Sequence, residues 1–327
     1  MSDLKILAYS KLTKEKFSEV RRLAALCKKA DGFDPFFYWE SIKRRKNPGI
    51  NEILCYSGDT LVGYLALYYF EAKEVEITVM THPEYRNLAI YAVLWECAKR
   101  VISEYPVQIS RTVFTCNQEN ILQKEYLKRL GATGFLSTFK LALPTKKYAP
   151  VSVRKDASVS VRTATPEDIG DLQQLESDCF LMSPEFYQNY LLTTIEDPNQ
   201  KIMVAVQKKR IIGKIHIQYD KKNAFLYGFC IAPEEQKKGY GGMLLNHVIL
   251  ALQQESIHKI LLDVVDAEDL QWYKRFQFKA HATYEHWKLP IYVNPVKERE
   301  KQLETMILNF QSLPLQAQLT EATYTKH

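Results

Sequence analysis

The glycine-rich loop at residues 236–242 is the feature that most constrains how this chain folds. Its sequence is Gln-Lys-Lys-Gly-Tyr-Gly-Gly, and it follows the apolar run 224–231, which is typical of a strand covered on both faces. Directly after the loop, residues 243–254 keep leucine and isoleucine at helical spacing. Backbone N–H groups at the start of such a helix attract anions, and glycines let a pyrophosphate approach closely. The loop therefore predicts an anion-binding site.

The elements around this loop predict a mixed α+β domain. Their order is strand, two helices, three strands, loop, helix, strand, helix and strand. This order fits an antiparallel sheet that becomes parallel at the crossover through the loop, with helices on both faces. Residues 4–143 show the same order, so the chain is predicted to hold two copies of one fold. Each copy is a mixed, mostly antiparallel sheet flanked by helices.

The predicted boundaries follow from this repeat. A chain of 327 residues exceeds what one hydrophobic core usually organises, which favours two domains. We expect a first domain at 1–147 and a second at 158–292, joined by a polar, proline-flanked linker near 145–158. Residues 293–327 predict an amphipathic helix followed by a mobile end.

Composition excludes several classes of protein. No run of about 18 apolar residues is present and the first residues are polar, so we expect a soluble cytoplasmic protein without a membrane partner. The six cysteines are far apart and form no C-x-x-C pair, which favours reduced, buried thiols and predicts no metal site. The net charge is +6, and the basic run at 43–46 is interpreted as a solvated helix end. We therefore expect no nucleic-acid partner.

The spacing Gln-x-x-Gly-x-Gly resembles the acetyl-CoA loop of the GNAT family of N-acetyltransferases. That family pattern is Gln or Arg, two residues, Gly, one residue, and then Gly or Ala. Residues 266–278 resemble a second family feature, an Asn before a helix that carries a Tyr seven residues later and is followed by Gly-Phe. Here Asp266 and Gln277 replace the Asn and the Gly, while Tyr273 and Phe278 keep their places. The Rossmann and Walker fingerprints are both absent.

The resemblance implies roles for individual residues, with acetyl-CoA as the acyl-donor substrate. It implies that the cofactor contacts are the loop, three strand residues and the residue before the later helix, namely Gln236, Lys237, Lys238, Gly239, Tyr240, Gly241, Gly242, Phe229, Cys230, Ile231 and Asp266. The strand residues would hold the thioester carbonyl through their backbone. Tyr273 would protonate the departing thiolate, and its alternative is an aromatic that only packs on the sheet.

Two further residues carry alternative interpretations. Asp263 is the predicted base that deprotonates the acceptor amine through water, although an acid at a strand end is commonly structural. Cys230 is a potential acyl-accepting nucleophile, but without a neighbouring base in the sequence a buried core thiol is favoured.

The first copy is predicted to bind no CoA, or to bind it poorly. Its corresponding loop starts at Arg86, and Arg86 and Ala89 keep the register of the family pattern. Both glycine positions are changed, and Tyr91 brings a large ring to the place where a pyrophosphate would approach the backbone. Tyr126 echoes the tyrosine of the second feature and supports a duplication.

Together these features predict a tandem-GNAT N-acetyltransferase. It would transfer an acetyl group from acetyl-CoA to a primary amine on a small-molecule or peptide acceptor, by direct attack in a ternary complex. Two alternatives stay open: an acyltransferase that uses another donor, such as a longer acyl-CoA or an aminoacyl-tRNA, and a sensor that binds acetyl-CoA without turnover.

Overall fold

A computed structural model describes residues 4–45, 49–70, 73–86, 88–180 and 184–289. The predicted C-terminal helix and mobile end at 293–327 lie outside these residues. Within them, no helix is long and apolar enough to cross a membrane. The described residues divide into two compact units, a first made of those up to Ser137 together with those from Ala282 onward, and a second made of Thr138–His281.

The two halves of the chain repeat one order of elements, which confirms the predicted mixed α+β fold in two copies. The first half contains β1 Leu4–Tyr9, α1 Lys14–Asp31, α2 Trp39–Lys43, β2 Glu52–Ser57, β3 Thr60–Tyr68, β4 Glu74–Thr81, α3 Leu88–Ser103, β5 Arg111–Asn117, α4 Ile121–Arg129 and β6 Thr133–Pro144. The second half contains β7 Val159–Thr163, α5 Ile169–Phe180, α6 Pro184–Glu196, β8 Gln200–Gln207, β9 Arg210–Asp220, β10 Asn223–Ile231, α7 Tyr240–Gln254, β11 Lys259–Val264, α8 Ala267–Lys274 and β12 Lys279–Leu289.

The last strand of each half of the chain belongs to the sheet that the other half forms: β6 lies in the second unit and β12 in the first. The strand order is β1-β2-β3-β4-β5-β12 in the first unit and β6-β11-β10-β9-β8-β7 in the second. In the second unit β6 pairs antiparallel with β11, from Phe139 opposite Val264 to Pro144 opposite Lys259. In the first unit β12 pairs antiparallel with β5 from Tyr284 onward. The boundaries between the compact units therefore lie within β6 and β12, whereas the sequence pattern places them at residues 147 and 158.

The repeat extends to the register of the strands. Gly63 lies opposite Thr81 in the β3–β4 pair, and Gly213 lies opposite Ile231 in the β9–β10 pair. Each residue of the second pair follows its counterpart by 150 positions in the chain. The loops after these strands keep the same interval, because Arg86 and Gln236 are also 150 residues apart. Loop positions in the two units can thus be compared directly.

The parallel strands of each unit separate after a short paired stretch. β10 and β11 pair only from Asn223 opposite Lys259 to Phe225 opposite Leu261, although β10 continues to Ile231. In the first unit the pairing of β4 with β5 ends at Ile77 opposite Phe114. The second half of β10 therefore has a side that is not occupied by a paired strand of the described sheet.

Two helices differ from what the sequence pattern predicts. The pattern predicts a helix over 35–46, but the structure has only the short α2, because Phe37 before it lies in irregular chain and packs its ring on Tyr64, 5.1 Å between centroids. The helix predicted from 243 begins three residues earlier, at Tyr240. Gly241 and Gly242 thus lie in the first helical turn, and Gly239 directly precedes it.

The basic residues 43–45 at the end of α2 form ion pairs within their own unit. Lys43 pairs with Glu40 at 2.7 Å and Arg44 lies 3.7 Å from the same carboxylate. Arg45 is 8% exposed and pairs with the fully buried Glu52 at 2.7 Å. Lys43 and Arg44 thus agree with a solvated helix end, whereas the burial of Arg45 against Glu52 corrects that interpretation.

Gly213 provides a test of the close packing between β9 and β10. A Cβ at this position would clash with Ile231 Cδ1 and lie 3.0 Å from the Cys230 carbonyl oxygen. We expect Gly213→Ala to lower the free energy of unfolding by about 1 to 3 kcal/mol, measured by urea unfolding. Gly170→Ala in α5 is the control, since nothing lies within 4 Å of its Cβ and it should stabilise the chain by roughly 0.5 to 1 kcal/mol. Equal stability of both variants would contradict the described packing.

Candidate functional site

The glycine loop forms the first turn of α7. Gly239 is the N-cap residue with φ of 90°, in the left-handed region that glycine adopts without strain. The N–H groups of Tyr240, Gly241 and Gly242 follow it, and the first amides of any helix have no acceptor within the helix. Gln236 ties the start of the loop to the end of β10, because its Nε2 donates to the Ile231 carbonyl at 3.0 Å. The loop therefore presents several amides beside the end of the separated strand.

A residue of the linker fixes the shape of this loop. The Arg154 guanidinium donates to the Lys238 carbonyl at 2.9 Å and lies 4.6 Å above the centre of the Tyr240 ring. Asp156 accepts from both Arg154, at 2.8 Å, and the Tyr240 hydroxyl, at 3.1 Å. Hydrogen bonds from Ser158, and then those from Arg154 and Tyr240, lower the Asp156 pKa to about 2. Since the Tyr240 side chain is buried, only its backbone amide is available to an anion.

Two lysines border the loop on the solvent side. Lys237 and Lys238 are both exposed, and Lys237 has a φ of 59°. The Lys238 ammonium lies 3.1 Å from the Glu235 carboxylate. Both lysines therefore bring positive charge to the loop, and that of Lys238 is paired with Glu235.

A bulge interrupts β10 beside the loop. The β9–β10 pairing passes from Tyr227 opposite His216 to Cys230 opposite Lys214, so Gly228 and Phe229 together face one residue of β9. Gly228 has a φ of 54°. Such two-against-one bulges bend a strand and redirect its peptide groups.

The predicted Tyr273 lies next to this bulge and the helix start. Its ring centroid is 6.5 Å from that of Phe229, and a Cβ on Gly241 would lie 3.4 Å from the Phe229 ring. Burial, followed by the charge of Asp269, raises the Tyr273 pKa above its usual value. The phenol therefore keeps its proton at neutral pH. The structure thus brings Gly241, Phe229 and Tyr273 together.

Trp272, which the sequence analysis did not single out, belongs to the same group. Its ring stacks on Phe229 with centroids 5.7 Å apart, and it would lie 3.7 Å from a Cβ on Gly241. The only sequence signal is its place beside Tyr273, which does not show that the ring turns toward α7.

The two predicted acids have structural partners. Asp263 forms an ion pair with Lys140 of β6 at 2.7 Å. It alternates along β11 with the buried Leu262 and Val264, which belong to the same core as Tyr273, so its side chain is on the other face of the sheet. Asp266 is the N-cap of α8 and accepts from the Glu268 N–H at 2.5 Å. Neither acid lies in the group formed by Gly241, Phe229 and Tyr273.

A buried polar cluster on the other face of the sheet was not predicted. Lys214 and His216 of β9 are fully buried, and the Glu176 side chain of α5 is only 4% exposed. The Lys214 ammonium lies 2.7 Å from Glu176 Oε1 and 3.0 Å from His216 Nε2. Burial and the nearby Lys214 charge lower the His216 pKa to about 2, so the imidazole is neutral. Its Nδ1 lies 3.3 Å from the hydroxyl of Tyr190.

Cys230 has the properties of a core thiol. Its hydrogen bond with Cys179, followed by burial, raises its pKa above the usual range. Cys179 in turn donates to the Ile231 carbonyl at 3.6 Å. A thiol that is harder to deprotonate is a poor nucleophile, which supports the core interpretation over acyl acceptance.

In the first unit the corresponding cleft is filled by protein. Arg86 lies at the position of Gln236, reaches the Thr81 carbonyl at 3.5 Å and forms an ion pair with Asp31. Tyr91 lies at the position of Gly241, is buried, and stacks on Tyr126 with centroids 5.6 Å apart. The cavity that remains beside these side chains admits about one water-sized sphere.

Residues 169–278 match the acetyltransferase (GNAT) family. Residues 169–278 thus form a GNAT-family domain. The match spans α5 to the end of the α8 turn and therefore includes the glycine loop, the bulged strand and Tyr273. No curated protein sequence matches the chain.

Solved structures extend the similarity to both units. A GCN5-related N-acetyltransferase from Sphaerobacter thermophilus superposes with a TM-score of 0.76 at 15% identity, covering 89% of this chain and 97% of that one. A tandem GNAT protein from the clavulanic acid biosynthesis pathway gives 0.68 at 14% identity, covering 90% and 100%. A glucosamine N-acetyltransferase region of a fungal multi-domain β-N-acetylglucosaminidase gives 0.67 at 15% identity, covering 88% and 38%. At these identities the similarity shows a shared fold, here the tandem GNAT fold.

The buried imidazole predicts how the stability of the protein depends on pH. The folded-state pKa of His216 lies below its ordinary value of 6.5, so below that pH the unfolded chain binds a proton that the folded chain does not. This site therefore lowers stability as the pH falls from about 6.5 toward 2, by at most about 1.4 kcal/mol per pH unit. We expect urea unfolding of His216→Gln between pH 4 and 6 to show that its free energy of unfolding falls less steeply with falling pH than that of wild type, by up to this amount. The exposed His258→Gln is the control, and equal slopes for wild type and His216→Gln would contradict the buried, neutral imidazole.

Proposed function

We propose that the second unit transfers an acetyl group from acetyl-CoA to a primary amine of a small-molecule or peptide acceptor. The observation that carries this proposal is the convergence of three features: the amides at the α7 start, the bulged strand at the point where β10 has left β11, and the protonated Tyr273. Each supplies a different requirement of acyl transfer, namely donor binding, stabilisation of the oxyanion and protonation of the leaving group.

The first turn of α7 is the proposed binding site for the pyrophosphate of the donor. The amides of Tyr240, Gly241 and Gly242 at the helix start have no acceptor within the helix, and the helix dipole adds positive potential. The fit is supported by comparison with the first unit, where the ring of Tyr91 occupies the position of Gly241. Lys237 and Lys238 would add charge at the rim.

The unpaired side of β10 is the proposed place of the thioester. The pantetheine arm would lie between the separated strands, with its carbonyl facing those backbone N–H groups of Phe229, Cys230 and Ile231 that point away from β9. As the amine attacks the carbonyl carbon, negative charge develops on the oxygen, and amides fixed in advance stabilise it without reorganisation.

Collapse of the tetrahedral intermediate breaks the carbon–sulfur bond, and the thiolate takes the phenol proton of Tyr273. The amine must attack as the free base, so its nitrogen gives up one proton during the reaction. We retain Asp263 as the proposed base, acting through water that would reach the amine from the face of the sheet opposite Tyr273. A carboxylate has acceptor sites on both oxygens, so the ion pair with Lys140 does not exclude a water on this group.

One observation favours a second candidate function, binding of acetyl-CoA without turnover. Asp263 and Asp266 both have structural partners, an ion pair and a helix cap, so the described residues provide the donor site more completely than the base. A sensor would keep the donor site and lack the transfer step.

Substitution of Gly239 tests the donor site. In Gly239→Val the side chain is strained at the positive φ and meets Arg154, whose Cβ would lie 3.1 Å away, so the loop amides are displaced. We expect calorimetric titration with acetyl-CoA to show a dissociation constant at least tenfold larger, which corresponds to a loss of about 1.4 kcal/mol of binding free energy. Gly32→Val is the matched control, because Gly32 caps α1 with φ of 79° and has nothing within 4 Å. Equal affinity of the two variants would contradict the assigned site.

Substitution of Tyr273 separates the enzyme from the sensor. Tyr273→Phe keeps the ring packing and removes the proton donor, so turnover with an amine panel should fall by about 10² to 10⁴ while acetyl-CoA affinity is kept. The control is Tyr126→Phe, the buried tyrosine of α4 in the first unit, which should turn over like wild type. Equal rates for Tyr273→Phe and wild type would remove the assigned acid role. Tight binding of acetyl-CoA without turnover of any amine would instead favour the sensor.

A further inference from the structure

The Lys214 ammonium is held at three points in the interior of the second unit. It lies 2.7 Å from Glu176 Oε1, 3.0 Å from His216 Nε2 and 2.6 Å from the carbonyl oxygen of Gly228. An ammonium has three N–H donors, so each proton has its own acceptor. The ring of Phe180 lies 5.4 Å from the same nitrogen. The charge is therefore fixed in one position.

The third of these acceptors belongs to the bulge of β10. Gly228 has left the regular pairing with β9, and its φ of 54° turns its peptide group out of the ladder. A Cβ at this position would lie 3.1 Å from Lys214 Nζ and 3.3 Å from the His216 ring. Glycine is thus needed both for the backbone conformation and for the close approach of the ammonium.

The hydrogen bond from Lys214 to the Gly228 carbonyl also fixes the direction of the next N–H group. The peptide bond between Gly228 and Phe229 is planar and trans, as no described peptide bond is cis, so its N–H points opposite to its carbonyl. The Phe229 N–H is therefore directed away from Lys214. This N–H is the first of the strand amides that the proposed function assigns to the thioester carbonyl.

Stability alone is a weak reason for such a cluster. Replacing a buried ion pair with well-packed apolar side chains is often neutral or stabilising, because the pair loses its hydration. An amide that stabilises an oxyanion, in contrast, is effective only when its direction is fixed before the reaction. Lys214 provides a fixed direction, since Glu176 and His216 hold its ammonium against the bulge.

We infer that Lys214 is a positioning residue for acyl transfer, which orients the Phe229 N–H toward the thioester carbonyl by binding the carbonyl of Gly228. This inference rests on the proposed function of the second unit. Lys214 acts through the backbone and does not itself contact the reacting atoms.

The test observes the thioester carbonyl directly and needs no acceptor. Acetyl-CoA labelled with ¹³C at the acetyl carbonyl is bound to the full chain, and its carbonyl stretch is measured by isotope-edited infrared difference spectroscopy. For wild type we expect the band of the bound donor at lower frequency than that of free acetyl-CoA, because the Phe229 N–H donates to it. In Lys214→Met/Glu176→Gln, which leaves neither charge unpaired, the band should return toward the free position while the dissociation constant for acetyl-CoA stays nearly the same.

The matched control is Lys201→Met/Glu255→Gln. It makes the same two changes in an ion pair of 2.9 Å elsewhere in the second unit, and its band should equal that of wild type. If the first double variant does not fold, Lys214→Met/Glu176→Leu replaces the pair with apolar side chains of similar volume and gives the same readout.

The outcomes separate the inference from the proposed function. A folded variant that binds acetyl-CoA with the wild-type band would overturn the positioning role and leave Lys214 as a structural residue. Wild type that does not bind acetyl-CoA would overturn the proposed function and this inference with it. If Lys214 positions the Phe229 N–H, the Lys214→Met/Glu176→Gln variant loses the band shift and still binds acetyl-CoA.

Discussion

The early end of the pairing between β10 and β11 is the constraint on which the rest of the candidate site depends. After Phe225 and Leu261 the two strands separate, so the second half of β10 keeps its ladder only on the β9 side. Backbone amides in a protein interior need partners, and here a ligand can supply them. The glycine loop lies at the end of this strand, and Tyr273 packs beside its bulge. Donor binding and chemistry thus share one feature of the sheet.

The first unit has the same separated strands without the glycines of the loop. Its β4 and β5 part in the same way after Ile77 and Phe114, and its loop keeps the register of the second unit. Tyr91 stands where the second unit has Gly241, and its ring packs on Tyr126 as part of the hydrophobic core. In the second unit the rings of Phe229 and Trp272 lie beside Gly241, and the start of α7 carries no side chain of its own at this position.

Much of this arrangement could be predicted from sequence because it depends on local patterns. Hydrophobic periodicity gave the order of elements, and the loop with Tyr273 indicated the site. The exchange of β6 and β12 was not visible, since periodicity identifies a strand and not its partner. Lys214 and His216 stand at the polar positions of an alternating strand, which normally face solvent. Only the packing of α5, which brings Glu176 over them, shows that this face is buried.

Hydrogen–deuterium exchange with and without saturating acetyl-CoA tests the central claim most directly, because it reports on both loops of the chain in one measurement. The account predicts slower exchange in peptides covering β10 and the start of α7, where the ligand would occupy the amides, and no change in the segment from β4 to the start of α3. Protection of the first-unit loop, or of neither loop, would contradict the claim that only the second unit retains an open acetyl-CoA cleft.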